Sequence, residues 1–403
     1  LGAASTVDSA TGKTLQTPKR QPSLIIYSVE GSRYQKSPDE HDLQVLKQIS
    51  SMEPPADVPK MEIPPMHMTH ERARMDYSGI THIHHFFLPR ALHVMAALWR
   101  KASSQPDARV REMLLFFVEQ ALWTASLLNR YRPTGFSQVN QYMTGVYYVA
   151  SQHAECSPWY ILDGKLGRLA KTFQAFGARQ AGAGITTGTV ASLPLAAGSI
   201  DYIFTDPPFG ENIYYADLNF LVESWHRVTT DAQPEAIVDR FKKKGLPEYQ
   251  HLMQRCFSEY YRVLKPGRWM TVVFSNSKAA VWNAIQVALQ QAGFVVAEVT
   301  ALDKVQGSYR QVTSATAMKQ DLVISAYKPN GGLEGRFTAN GATADSAWDF
   351  VQTHLKQLPV VKVTSGDFPE LVFNIERDSR RIKDRLDAWF IRHGSMVPFS
   401  SPD

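Results

Sequence analysis

The chain has 403 residues, 44% hydrophobic and 20% charged, enough material for one large or two ordinary domains. A formal net charge of +5 and a pI near 9.0 permit nucleic-acid contact without demonstrating it. Two cysteines, Cys156 and Cys256, form no Cys-x-x-Cys pair, which excludes a zinc ribbon in this chain and argues against a disulfide framework; with no signal peptide and no apolar run of about 18 residues, a soluble, cytoplasmic chain is expected.

Residues 1–80 read as an extended arm or linker, punctuated by Pro54-Pro55, Pro59 and Pro64-Pro65, with residues 23–29 a strand candidate. Residues 81–144 read as helical. Leu92, Val94, Met95, Leu98 and Trp99 recur at helix spacing, and 113–128 is apolar enough for a buried helix. Ahead of them, Thr81-His82-Ile83-His84-His85 alternates so that His82 and His84 would share one face of a strand. No cysteine or acid cluster stands nearby in sequence, so a structural or phosphate-contacting role is favoured and no metal is expected.

Residues 145–330 carry the clearest α/β alternation. Strands are expected at 146–149, 199–205 and 269–274, with helices over 159–176, 248–264 and 279–292. Lys265-Pro266-Gly267 stops the second helix, Gly293 closes the third, and 294–300 with 322–327 form a final hairpin. Residues 331–403 read as a small helical appendage, with helices over 348–358 and 376–394 in which Trp389 and Phe390 are core contacts. Arg240, Lys242, Lys243 and Lys244 are expected to contact nucleic-acid phosphates. Arg377, Arg380, Arg381, Lys383, Arg385 and Arg392 read first as a solvated helix face.

The most informative stretch is Asp206-Pro207-Pro208-Phe209, which comes after the apolar run from Ser199 to Thr205. Two prolines remove backbone N–H groups and fix the chain's direction. That leaves carbonyls and one carboxylate facing the crevice where open α/β sheets bind ligands. A planar exocyclic amine can donate to the carboxylate and to a proline carbonyl while its ring stacks on Phe209. Asn212, Tyr214 and Tyr215 come next as pocket neighbours. The bland alternative is a Pro-Pro turn whose Asp only caps a strand.

At these residues the chain resembles the DNA amino-methyltransferases that modify adenine N6 or cytosine N4, in particular the long adenine-specific DNA methylases. Thr187-Gly188-Thr189-Val190-Ala191-Ser192-Leu193-Pro194 is similar to the family's approach to the motif. Gly210-Glu211-Asn212-Ile213-Tyr214-Tyr215-Ala216-Asp217-Leu218 is similar to the stretch that leads away from it in those long methylases. Tyr261-Arg262-Val263-Leu264-Lys265-Pro266-Gly267 resembles the turn before the next sheet strand. The likeness spans residues 145–329. It implies a Rossmann-like, S-adenosylmethionine-dependent methyltransferase sheet with helices on both faces and helical additions at both ends. Asp206 would then end a central strand of a mixed, mostly parallel sheet. It further implies Asp206–Phe209 as the catalytic motif, Gly188 and Thr189 at the cofactor, DNA as partner, and a setting in restriction or phage defence.

One departure matters. No strand-then-glycine loop for the cofactor is visible: Ala181-Gly182-Ala183-Gly184 follows no apolar strand, Asn330-Gly331-Gly332 comes late, and Thr189 stands where the family carries an acid. Because the chain starts at Leu1 rather than Met, a piece of a longer protein is expected, with the loop supplied from upstream or by a separate subunit. Two other readings stay open: an RNA guanine-N2 methyltransferase, and a non-catalytic nucleic-acid-binding module that keeps the fold.

Overall fold

A computed structural model describes residues 2–73, 75–139, 147–176, 182–211, 213–276, 278–302, 321–330, 332–363 and 371–399. They form two compact units, one of residues 1–184 with 214–231, the other of 185–213 with 232–403.

The first unit opens with two hairpins, β1 (Ala3–Val7) with β2 (Thr14–Pro18) and β3 (Ile25–Val29) with β4 (Ser32–Lys36), followed by α1 (Glu40–Ser50). The expected arm with one strand therefore holds four strands and a helix. β3 falls on the strand candidate at 23–29; the side chains of β1, β2 and β4 are largely exposed, so no apolar alternation announced those three. The start of α1 is local: Asp39 accepts the Asp42 N–H and Asp42 returns the bond to Asp39 N, each at 2.9 Å.

Next come α2 (Pro89–Ser103), α3 (Ala108–Glu119), α4 (Leu122–Ala125), the β5 (Asn129–Arg132) and β6 (Phe136–Val139) hairpin, α5 (Pro158–Phe176) and α6 (Tyr215–His226). The apolar run expected as one buried helix is broken at Gln120, and of α3 only Val118 is buried. The histidine segment is a 3-10 turn, Ile83–Phe86, rather than a strand. Nor does a strand form at 147–149; Val146 lies outside the described residues. Tyr147 is buried instead, its hydroxyl donating 2.6 Å to the Asp217 carbonyl.

The second unit is built on β7 (Ile200–Thr205), β8 (Leu264–Phe274), β9 (Val295–Leu302) and β10 (Asp321–Tyr327), in the order β7-β8-β10-β9. β7 runs parallel to β8, while β10 is antiparallel to both β8 and β9. The expected central strand in a mostly parallel sheet is thus corrected: among the described residues β7 is an edge, and two of three pairings are antiparallel. Its side chains show why. Ile203 is buried, whereas Tyr202 and Phe204 are 55% and 64% exposed, the pattern of a strand covered on one face.

α7 (Leu246–Val263) and α8 (Ala279–Ala292) close that covered face, setting Met253, Phe257, Ile285 and Leu289 against Ile203, Met270, Val272, Phe274 and Ile324. Each such large side chain contributes roughly 1.5–3 kcal/mol by leaving water. Gly293 ends α8 at φ +106°, where an added Cβ would meet the Tyr261 ring at 2.9 Å. α9 (Leu333–Asn340), α10 (Ala344–Gln357) and α11 (Ser379–Arg392) place Phe337, Phe350, Trp389 and Phe390 against Val295, Ala297 and Tyr327. These C-terminal helices therefore cover the second face of the sheet at its β9–β10 end. A short hairpin, β11 (Val361–Val363) with β12 (Leu371–Phe373), completes the unit. No helix among the described residues is long and apolar enough to cross a membrane.

Candidate active site at the end of the motif strand

Asp206 is exposed immediately beyond the C-terminal residue of β7, and Pro207, Pro208 and Phe209 are half-buried after it. The segment is pinned from beneath. Tyr249, fully buried on α7, donates to the Pro208 carbonyl at 2.9 Å, and Asn276, just past β8, donates from Nδ2 to the Phe209 carbonyl at 2.7 Å. Asn276 Oδ1 accepts the Lys278 N–H at 2.7 Å, which fixes the orientation of the amide. Burial pushes the Tyr249 phenol up, so it remains a donor across the working pH range. The Phe209 ring meets Phe274 edge-on, with centroids 5.2 Å apart.

Gly210 then turns the chain at φ +77°, where a Cβ would sit 3.4 Å from both Asn276 and Val281. Beside it, Thr205 Oγ1 and the Tyr260 hydroxyl lie 3.0 Å apart, and Lys278 pairs with Glu211. Tyr249 and Asn276 could not be found from the sequence. Neither belongs to a motif, and only the return of α7 and β8 past the strand end brings them under the prolines.

Gly188 and Thr189 form an exposed turn. The run after it is held to α7 by Glu259, which accepts the Leu193 N–H at 3.0 Å, and by Arg262, which donates to the Leu193 and Leu195 carbonyls. The Arg262 guanidinium and that N–H hold the Glu259 carboxyl down to about 2. Asn330 and Gly332 come after β10. That strand is antiparallel to β8, so they lie at the opposite end of the sheet from Asp206. Asn212 is outside the described residues. Tyr214 and Tyr215 belong to the other unit, where Tyr214 is buried and stacks on His67 at 4.1 Å.

The first basic cluster is largely spent within its own loop. Lys244 is buried and donates to the Ala232 and Glu235 carbonyls at 2.6 Å each, Lys242 pairs with Asp239 at 2.6 Å, and the Arg240 guanidinium lies 5.2 Å from the Phe241 ring centroid. Lys243 is exposed. The C-terminal basic group is solvated at Arg380 and Arg381, and most of its members are also engaged within the unit. Arg377 caps α10 through the Leu355 and Leu358 carbonyls, Arg381 and Arg385 reach Glu376, Lys383 pairs with Asp387, and Arg392 meets Glu334.

No family model and no curated protein matches this chain. Among solved structures, it is similar to a candidate DNA modification methylase of Thermus thermophilus at 15% identity and TM-score 0.23, over 36% of this chain and 52% of that one. A SAM-dependent methyltransferase of Methanosarcina mazei shows 14% identity and TM-score 0.23 over 40% and 77% of the two chains. The [4+2]-cyclase SpnF shows 13% and 0.21 over 36% and 57%. The likeness spans about half the length of the Thermus protein. At these scores it stands as an observation, and function has to be read from the chain's own residues.

Proposed function

We propose that this chain carries the base-binding side of an S-adenosylmethionine-dependent DNA methyltransferase acting on the exocyclic amine of a flipped base, adenine N6 ahead of cytosine N4. The observation that carries the reading is Asp206-Pro207-Pro208-Phe209 at the carboxyl end of β7, with its Pro208 and Phe209 carbonyls committed to Tyr249 and Asn276. The proposal assigns the substrate amine to the Asp206 carboxylate and the Pro207 carbonyl. An amine conjugated to a ring is a poor nucleophile. Two acceptors placed off the ring plane favour a tetrahedral nitrogen with a localised lone pair. Phe209 stacks on the base, worth roughly 1–3 kcal/mol by analogy with single-strand binders.

The described residues do not fit the cofactor equally well. Gly188 and Thr189 are an exposed turn, Asn330 and Gly332 lie at the wrong end of the sheet, and no strand-then-glycine loop accompanies β7 among the described residues. The proposal therefore assigns these residues the base side alone. The same mismatch, together with the edge position of β7, supports a second reading, a nucleic-acid-binding module without a cofactor loop of its own.

Tritiated S-adenosylmethionine with duplex DNA, followed by nucleoside analysis, tests the first reading. Label is expected in N6-methyladenine when the wild-type chain is assayed with the segment or subunit that supplies the cofactor loop, and is expected to vanish with Asp206→Ala, while unfolding curves stay within about 0.5 kcal/mol of each other. Equal incorporation by the two proteins would remove the motif from the chemistry. DNA binding with no incorporation in that completed assay would establish the second reading.

A further inference from the structure

In the first unit, the β1–β2 turn carries Asp8 against the histidine turn. His84 Nε2 lies 3.2 Å from both Asp8 carboxylate oxygens, and His85 Nε2 lies 3.3 Å from Asp8 Oδ2. The His84 and His85 rings are 4.2 Å apart, and His82 flanks them at 5.2 Å and 5.7 Å. The side chains of Asp8, His84 and His85 are only 8%, 5% and 12% exposed. The sequence argued against a metal because no acid stands near the histidines along the chain. Asp8 is supplied by a hairpin 76 positions upstream of His84.

We propose that Asp8, His84 and His85 form a binding site for a borderline divalent cation, zinc first. The donor set, two imidazoles and a carboxylate, is one zinc accepts with a fourth position open to water. With metal–ligand bonds of about 2.1 Å, the edge of a tetrahedron is about 3.4 Å. The 3.2 Å and 3.3 Å separations match that edge. His85 Nε2 adds a second sign: it approaches the carboxylate without aligning for a hydrogen bond and has no other partner, although it is buried. His85 Nδ1 accepts the Thr81 and His82 N–H groups at 3.3 Å each, so its Nε2 takes up an ion only as those two contacts give way.

The carboxylate is held in place by the Ala10 N–H at 3.0 Å and by the Thr11 hydroxyl. A carboxylate and two imidazoles packed together without a cation would serve only to fasten the β1–β2 turn to the histidine turn.

The two roles separate experimentally. The metal-stripped full chain, titrated with Co2+ alone, is expected to bind one ion per chain, with visible d–d absorption of a tetrahedral nitrogen–oxygen site, and Zn2+ is expected to displace it. Asp8→Asn keeps an acceptor for the Ala10 N–H. With an unchanged circular dichroism spectrum, it is expected to weaken the metal by about 10- to 100-fold. His85→Gln, with the circular dichroism spectrum likewise unchanged, is expected to do the same. No Co2+ spectrum in the wild type at micromolar protein, or equal affinity in both folded variants, would leave a hydrogen-bonded fastening and overturn the site.

Discussion

The two faces of the four-stranded sheet differ in how far they are covered. On one, α7 and α8 lie beneath β7, β8 and β10 and seal Ile203, Met270, Val272, Phe274 and Ile324 from water. On the other, α9 to α11 cover only the β9–β10 end, and the cover stops before β7, where Tyr202 and Phe204 stand exposed. The motif prolines are held from the sealed face, by Tyr249 and Asn276. Position at the strand end and rigidity thus come from one layer.

The largest effect expected of this asymmetry is at Phe257. Truncation to Ala on the sealed face should cost about 3–5 kcal/mol in urea unfolding, through lost transfer energy and the cavity left behind. A cost below about 1 kcal/mol would mean that this face is not close-packed.

On the partly covered face the test is pH. Burial, then the nearby Arg385 and Arg377, push the His354 imidazole from 6.5 down to about 4. The unfolded chain takes up a proton below 6.5 that the folded chain refuses until about 4. Stability from this group is therefore complete above 6.5 and falls with falling pH by about 1.4 kcal/mol per unit across that window. His354→Gln should flatten the slope there, and parallel wild-type and variant profiles would show that His354 is not buried neutral.

Smaller still is Tyr249→Phe, which removes the bond to the Pro208 carbonyl. About 1 kcal/mol of stability should go, and under the function proposed above methyl transfer by the completed enzyme should fall by more in proportion, because the motif loses its support. Unchanged transfer would show that the prolines hold their course unaided. The smallest shift belongs to Phe204→Ser, within about 0.5 kcal/mol of wild type because its ring is already in water. A loss comparable to that of Phe257→Ala would mean that the bare face is covered in solution.

The sealed half of this comparison was legible from sequence. Helix 279–292 with Gly293, the strand at 269–274 and the final antiparallel pair all come from apolar periodicity and helix-stop residues, which act locally. Strand order was not legible. Ile200 to Phe204 alternates no differently in an edge than in a centre, and placing β10 between β8 and β9 depends on contacts far apart in sequence. Asp8 beside His84 escaped for the same reason. In the candidate site the motif was readable because its residues are consecutive, whereas Tyr249, Asn276 and the inward use of Lys244 depend on tertiary return of the chain.

The passage of residues 214–231 back into the first unit has a practical consequence for dissecting the molecule. Asp217 there accepts the Met68 N–H at 3.1 Å, and Trp99 packs on Trp225 at 5.4 Å, so α6 is an integral part of its unit rather than a tether. A single cut after residue 184 strands α6 on the opposite fragment, and one after residue 231 removes β7 from its sheet. No single cut leaves both units intact; overlapping pieces, 1–231 and 185–403, each carrying its own copy of 185–231, are the route to studying them apart.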